Sequence, residues 1–283
     1  MKTSNKMLIG IAVALLVIPI STMVFSSLNG RVDYDEYRRG VAIESVKLDT
    51  EDKFLSTTKL EEFSNVKFSS DDYSYLHVHL VKSDEYGVKI NRTTHGELSY
   101  EIDEERTLHI SVPEVGSYYP TIFLFAPDIH HVEFDRVHIG ALHTEQDSLS
   151  LFFNRMHPNE TVIEENPNLT FLHLSLNNSD WTMRGSSPMF KQLESIEVEL
   201  EDSSISFESD YYNEILIHAN NSSFKIDPAK DSQAKIGRLT VNTLGKSTIS
   251  LEERVRVDSL SGSISDSTLV KAPFYMMEKL VRR

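Results

Sequence analysis

Cysteine is absent from all 283 residues. Its absence excludes a disulfide framework, a thiol nucleophile and a cysteine-built zinc site. It also excludes the lipidated N-terminal cysteine of a bacterial lipoprotein, so an exported body would rest on its core alone. Basic residues are scarce relative to acidic ones, 28 against 43, for a net charge of −15. Such a surface keeps the chain soluble and repels nucleic acid and anionic headgroups, so no nucleic-acid partner is expected. There is no Gly-x-Ser-x-Gly, no phosphate loop, no His-Glu-x-x-His and no glycine–aspartate calcium nonapeptide. No cofactor and no catalytic residue is indicated. Also missing are the Asn-Gly and Asp-Gly turns of tight β-hairpins: the single Asn29-Gly30 precedes the β region. Between 63 and 270 no long apolar pattern falls at helical spacing.

What is present begins with an uncharged apolar run, Met7 to Phe25, behind Lys2 and Lys6. Nineteen helical residues span roughly 28 Å, close to the thickness of a bilayer core. The run is longer than an ordinary signal-peptide core, and Met23 and Phe25 make Val24-Phe25-Ser26 a poor cleavage site. The expectation is a single-pass inner-membrane anchor, with 1–6 cytoplasmic, 7–28 spanning and the body in the periplasm. The alternative is export after signal cleavage. Arg31, Arg38 and Arg39 nearly balance the lysines across the segment, so orientation rests on the short N-terminal tail staying inside.

Residues 29–62 are polar and weakly periodic and read as a stalk leading into the β region. From Phe63 onward, apolar residues alternate with polar ones. Leu76, Val78 and Leu80 share one face, as do Leu108, Ile110 and Val112, and then Ile122, Leu124 and Ala126. The second half repeats itself. Leu172-x-Leu174-x-Leu176 passes through a polar corner, Asn177 to Asp180, to Trp181-x-Met183. Ile196-x-Val198-x-Leu200 does so through Glu201 to Ser204 to Ile205-x-Phe207, and Ile215-x-Ile217-x-Ala219 through Asn220 to Ser223 to Phe224-x-Ile226. Leu239-x-Val241-x-Thr243 leads to Ile249-x-Leu251, and Leu260-x-Gly262-x-Ile264 to Leu269. The corner exits Trp181, Ile205, Phe224, Ile249 and Leu269 recur with a period near 20 residues. A strand that cannot bury its inward face alone, repeated at fixed register, predicts a stacked coil with one continuous core. The fold class expected is therefore all-β: a right-handed parallel β-helix or solenoid over 63–270, preceded by one N-terminal transmembrane helix. A cap or tail helix is expected over 271–283, from Pro273, with Phe274, Met277, Leu280 and Val281 near one face. An antiparallel sandwich or barrel is the rival.

At this level of detail the chain resembles a known family. Phe63-Ser64-Asn65-Val66-Lys67-Phe68 opens the pattern, followed by Leu76–Leu80, Tyr86-Gly87-Val88-Lys89-Ile90, Arg106-Thr107-Leu108-His109-Ile110 and Ile122–Ile129 running into Val132-Glu133-Phe134. This order is similar to the GIN domain, the head domain of auto-transporter adhesins in Gram-negative bacteria, over about residues 60–270. The resemblance implies an exported, β-helical cell-envelope module, and it brings no catalytic residues. The family's Gly-Ser-Gly corners are here Asn, Asp and Ser, with Ser261-Gly262-Ser263 the nearest match.

Among residue types that carry chemistry, His77 and His79 stand at i and i+2 on one strand. They are weak metal candidates, needing a third ligand such as His130, His131 or His138. The plainer reading is exposed histidines on a polar sheet face. Glu197 and Glu199 face outward, with Glu201-Asp202 at the corner, but no acid stacks on acid in the next coil, where Leu216 and His218 align. A cryptic carbohydrate-active enzyme is therefore the minor alternative. Six Asn-x-Ser/Thr sequons, at Asn91, Asn159, Asn168, Asn177, Asn220 and Asn221, read as chance in a Ser/Asn-rich repeat. Tyr118-Tyr119 and Tyr211-Tyr212 read as pairs near loops that pack over coil ends or touch a partner. The function expected is a non-catalytic binding or scaffold module, adhesin-like by resemblance. Its partners would be the membrane through its helix and an envelope protein or glycan.

Overall fold

The period-2 alternation becomes strands throughout the computed structural model, which describes residues 46–51, 54–91, 98–113, 120–157, 159–164, 166–185, 187–228 and 232–276, with 17–19 and 21. The chain divides into two compact units, Met1–Phe54 and Leu55–Arg283. In the first, Val46 and Leu48 are buried. The segment expected as an anchor, 7–28, lies almost wholly outside the described residues, and no helix among those described is long and apolar enough to cross a membrane.

The second unit is a parallel β-solenoid. On its first face lie β5 (Thr107–Ser111), the start of β2 (Asn65–Lys82), the start of β7 (His131–Thr144), β8 (Ser148–Asn154), β10 (Phe171–Asn177), β12 (Ser195–Glu201), β14 (Tyr211–Asn220), β16 (Ala234–Leu244) and β18 (Val255–Ser263). On the second lie β6 (Thr121–Ala126), the ends of β2 and β7, β9 (Asn159–Ile163), β11 (Asp180–Gly185), β13 (Ser204–Glu208), β15 (Ser223–Ile226), β17 (Thr248–Leu251) and β19 (Leu269–Lys271). The order in space is not the order in sequence. The coil of β5 and β6 stacks on the outer side of β2, while β7 takes the inner side.

Antiparallel strands complete that end. β4 (Ser99–Ile102) pairs with β5, β3 (Gly87–Asn91) with β6, and β1 (Leu55–Lys59) with β3. They occupy edges that would otherwise present unpaired backbone groups to other chains. β1 falls inside the segment expected as a stalk, where its polar sequence, Leu-Ser-Thr-Thr-Lys, hides it.

Register follows the apolar repeat. Leu174, Val198, Ile217 and Val241 stack in adjacent coils and are buried, as are Trp181, Ile205, Phe224 and Ile249. Toward the N-terminal end the same core is aromatic: Phe68, Phe134 and Phe153 stack with ring centroids 5.1 and 5.5 Å apart. Each such side chain removed from water contributes about 1.5–3 kcal/mol. The last repeat is displaced by one residue from the sequence alignment. Val270 stands beside Ile249, whereas Leu269 pairs with Thr248 and is exposed.

A third, shorter face is built from residues just before the first. Tyr212, Ile236 and Val257 stack there. In the preceding coil its place is taken by α1 (Ser187–Gln192), whose Phe190 ring lies 5.0 Å from that of Tyr212. Pro188 in the first turn suits a helix start, since its missing N–H costs nothing there. Six residues are too few to show a helical period, so the sequence pattern does not reveal this helix. Of the expected tail helix, 274–276 are described as helical, with Met276 buried and Phe274 exposed; 277–283 lie outside the described residues.

Candidate functional site

The corner between the first and second faces is made the same way six times. Arg136, Arg155, Asn178, Asp202, Asn221 and Gly245 all have positive φ, between 46° and 58°. The residues before the last four, Asn177, Glu201, Asn220 and Leu244, are in register. Asn and Asp tolerate this left-handed conformation because their short polar side chains bond locally. Arg155, a poorer choice, is held by two guanidinium hydrogen bonds to Asp135 in the coil below.

Just beyond the last four of these turns stands a buried serine: Ser179, Ser203, Ser222 and Ser247. Their hydroxyls donate to the carbonyls of Asn177, Glu201, Asn220 and Leu244, at 2.6–2.8 Å. Each hydroxyl also accepts the N–H of its counterpart one coil earlier: Ser179 N–H to Ser203, Ser203 N–H to Ser222 and Ser222 N–H to Ser247. The buried N–H groups of Ser179, Ser203 and Ser222 are thereby satisfied.

Because the corner is fixed, outward side chains of the first face form straight rows. Ser175, Glu199, His218, Asn242 and Ser263 are successive neighbours across β10, β12, β14, β16 and β18. Beside them run Asn177, Glu201 and Asn220, and together these rows line an open groove of about 470 Å³. The Asn220 amide donates to both Glu201 oxygens, at 2.9 and 3.0 Å. The His173 ring lies 3.8 Å from Glu199. Such a groove offers amides, hydroxyls and carboxylates, the donors and acceptors that recognise sugar hydroxyls or peptide groups. Glu197 and Glu199 face Leu216 and His218 in the next coil, as expected, so no acid stacks on acid there.

Of the two aromatic pairs, Tyr211-Tyr212 departs from the expected loop position. Tyr212 is in the core rather than at a loop surface, and Tyr211 Oη donates to Asn213. Tyr118 and Tyr119 lie outside the described residues.

The histidines divide between environments. His131 stacks on Phe152 at 4.1 Å, His138 on Tyr75 at 4.7 Å, and His130 pairs with Asp128 at 2.5 Å. None of the three is grouped with His79. On the second face, β2, β7 and the residue after β9 bring His79, His143 and Glu164 side by side, their ligand-type atoms all within 4.8 Å. His143 Nδ1 is 3.3 Å from Glu164 Oε2. His79 points outward from the strand, yet it is only 7% exposed and its ring stacks on Phe123 at 4.6 Å. An outward position is not an exposed one here, which the alternation alone does not reveal. Burial lowers its pKa to about 4, leaving the ring neutral at neutral pH. Its Nδ1 has no hydrogen-bond partner among the described residues. His77, half-buried, shares this face and sits against Gly140, the extra residue of a bulge in β7; a Cβ at Gly140 would lie 3.2 Å from the ring. The other two members of the cluster, His143 and Glu164, come from other coils with no common sequence spacing, so no motif announces them.

No family pattern matches the chain, and no curated protein matches it. Among solved structures it is similar to a candidate adhesin from Bacteroides fragilis, with a TM-score of 0.47 and 12% identity over 77% of this chain and 94% of that one. A candidate adhesin from Parabacteroides merdae gives a TM-score of 0.37 and 12% identity over 77% and 96%. One from Parabacteroides distasonis gives 0.36 and 14% over 80% and 99%.

Proposed function

We propose that this chain is a non-catalytic binding or scaffold module of the cell envelope, a GIN-like solenoid that uses the first-face groove to hold an envelope protein or glycan. The observation that carries the reading is the straight outward row Ser175, Glu199, His218, Asn242 and Ser263, set across five coils by a corner of fixed geometry. A row of hydrogen-bonding groups at about 4.8 Å spacing suits an extended, repeating partner better than a small molecule. The coils are read as right-handed, the sense that strand twist favours in parallel crossovers. Met7–Phe25 is read as the anchor that leaves this body in the periplasm.

Two measurements test the proposal. Glycan arrays and crosslinking in envelope fractions with the full chain should give binding that drops about tenfold when Glu199 and Asn242 are both changed to alanine. Binding indifferent to that change would reject the groove. Protease protection in intact cells should shield residues 30–283 from the cytoplasm; a cytoplasmic body would reject the placement.

A further inference from the structure

We propose that His79, His143 and Glu164 form a binding site for one divalent metal ion of the zinc type, bridging three neighbouring coils of the second face. Two imidazoles and a carboxylate are a ligand set that zinc accepts, with a fourth position left for water. The backbone places them. His79 and His143 are directly paired residues of β2 and β7, and Glu164 continues from β9, its N–H bonded to the Leu142 carbonyl. Strands about 4.8 Å apart carry three side chains toward one point.

Bonds of about 2.0–2.1 Å in a tetrahedral site put ligand atoms roughly 3.3 Å apart. The present atoms lie within 4.8 Å of one another, so the site closes by side-chain rotation without moving strands. A second, independent observation points to a ligand: the buried His79 ring has Nδ1 unpartnered among the described residues, although a buried polar atom ordinarily finds a partner. The neighbourhood also fits. His79 is held in plane against Phe123. Arg184 is drawn away toward Glu160 and Glu208 and so is no rival for Glu164.

The test uses the full-length protein carrying no histidine tag, stripped with chelator, then exposed to zinc. One equivalent should survive gel filtration, and Co²⁺ in its place should give the visible absorption of a four-coordinate ion. His143→Ala and Glu164→Gln should each weaken binding by at least about tenfold. His218→Ala, on the other face, should leave it unchanged. Far-ultraviolet dichroism and melting without metal establish that each variant is folded; Glu164→Gln keeps the side chain's shape should His143→Ala fail to fold. Less than stoichiometric zinc in the parent protein, or binding that persists in folded Glu164→Gln, would overturn the assignment. Loss of zinc on His218→Ala with Glu164→Gln unaffected would move the metal to the first-face groove and overturn it equally.

Discussion

The Asn220 side-chain amide donates to both carboxylate oxygens of Glu201, one coil away, at 2.9 and 3.0 Å. Glu201 stands between Asn177 and Asn220 in the corner stack, so an acid is flanked by amides rather than by acids. Like charges directly opposite each other in neighbouring strands would repel. The polar corners thus work as a structural ladder, with left-handed turns fixing direction and buried serines satisfying the backbone.

If the corner is structural, its charge is dispensable. Changing Glu201 and Asp202 together to Asn should alter stability by no more than about 0.5 kcal/mol, since both are exposed and Asn tolerates the φ of 46° at 202. Asp202→Val should cost about 1–2 kcal/mol, because a β-branched residue resists that backbone. Denaturant melts measure both. Calcium should not shift the parent's Tm; a calcium-dependent rise lost in the double variant would show an ion site at this edge instead.

The serine ladder makes a sharper demand. Ser203→Ala removes the acceptor for the Ser179 N–H and a donor to the Glu201 carbonyl, both in a buried corner. The expected loss is about 1–3 kcal/mol. Ser206, half-exposed on β13, should tolerate alanine within about 0.5 kcal/mol. Equal effects in urea unfolding would remove the ladder from the account of stability.

Most of the second-half architecture was legible because each coil must bury the same inward positions, and burial imposes period 2. Leu174, Val198 and Ile217 aligned by sequence are aligned in space. The first half was less legible. Nothing local in Thr107–Ser111 says that it stacks outside β2 rather than beyond it, since either neighbour buries Leu108 and Ile110 equally. The metal candidate His79 was visible as half of a His-x-His pair, but its companions depend on which coils touch. His143 and Glu164 are set by a register that includes the bulge at Gly140, and sequence spacing does not encode that.

Tyr100 gives the fold an alkaline weakness. Its hydroxyl is buried without a partner among the described residues, and burial raises its pKa to about 12. The unfolded chain ionises its tyrosines near 10. Above that pH the unfolded state loses protons that the folded state keeps, so Tyr100's contribution is intact below pH 10 and is lost as pH climbs through about 12. Tyr100→Phe should match or exceed the parent's Tm at pH 8 and show a shallower fall between pH 10 and 11. Parallel curves for the two proteins would assign the alkaline loss to other groups.

The register itself is tested by two neighbouring residues on β12. Val198 is fully buried between Leu174 and Ile217, while Glu197 beside it faces outward. Val198→Asp places an unpaired carboxylate in a dry stack, where the charge must be neutralised or the coil opened. The expected cost is several kcal/mol, on the order of 3–5. Glu197→Lys changes a solvated side chain opposite Leu216 and His173, and should cost within about 0.5 kcal/mol. Adjacent residues on one strand differ this much only if side chains alternate between core and solvent. Chemical denaturation of both variants reads the contrast directly: a large loss in Val198→Asp alone fits the stacked coil, and comparable losses in both would mean that β12 is turned about its axis.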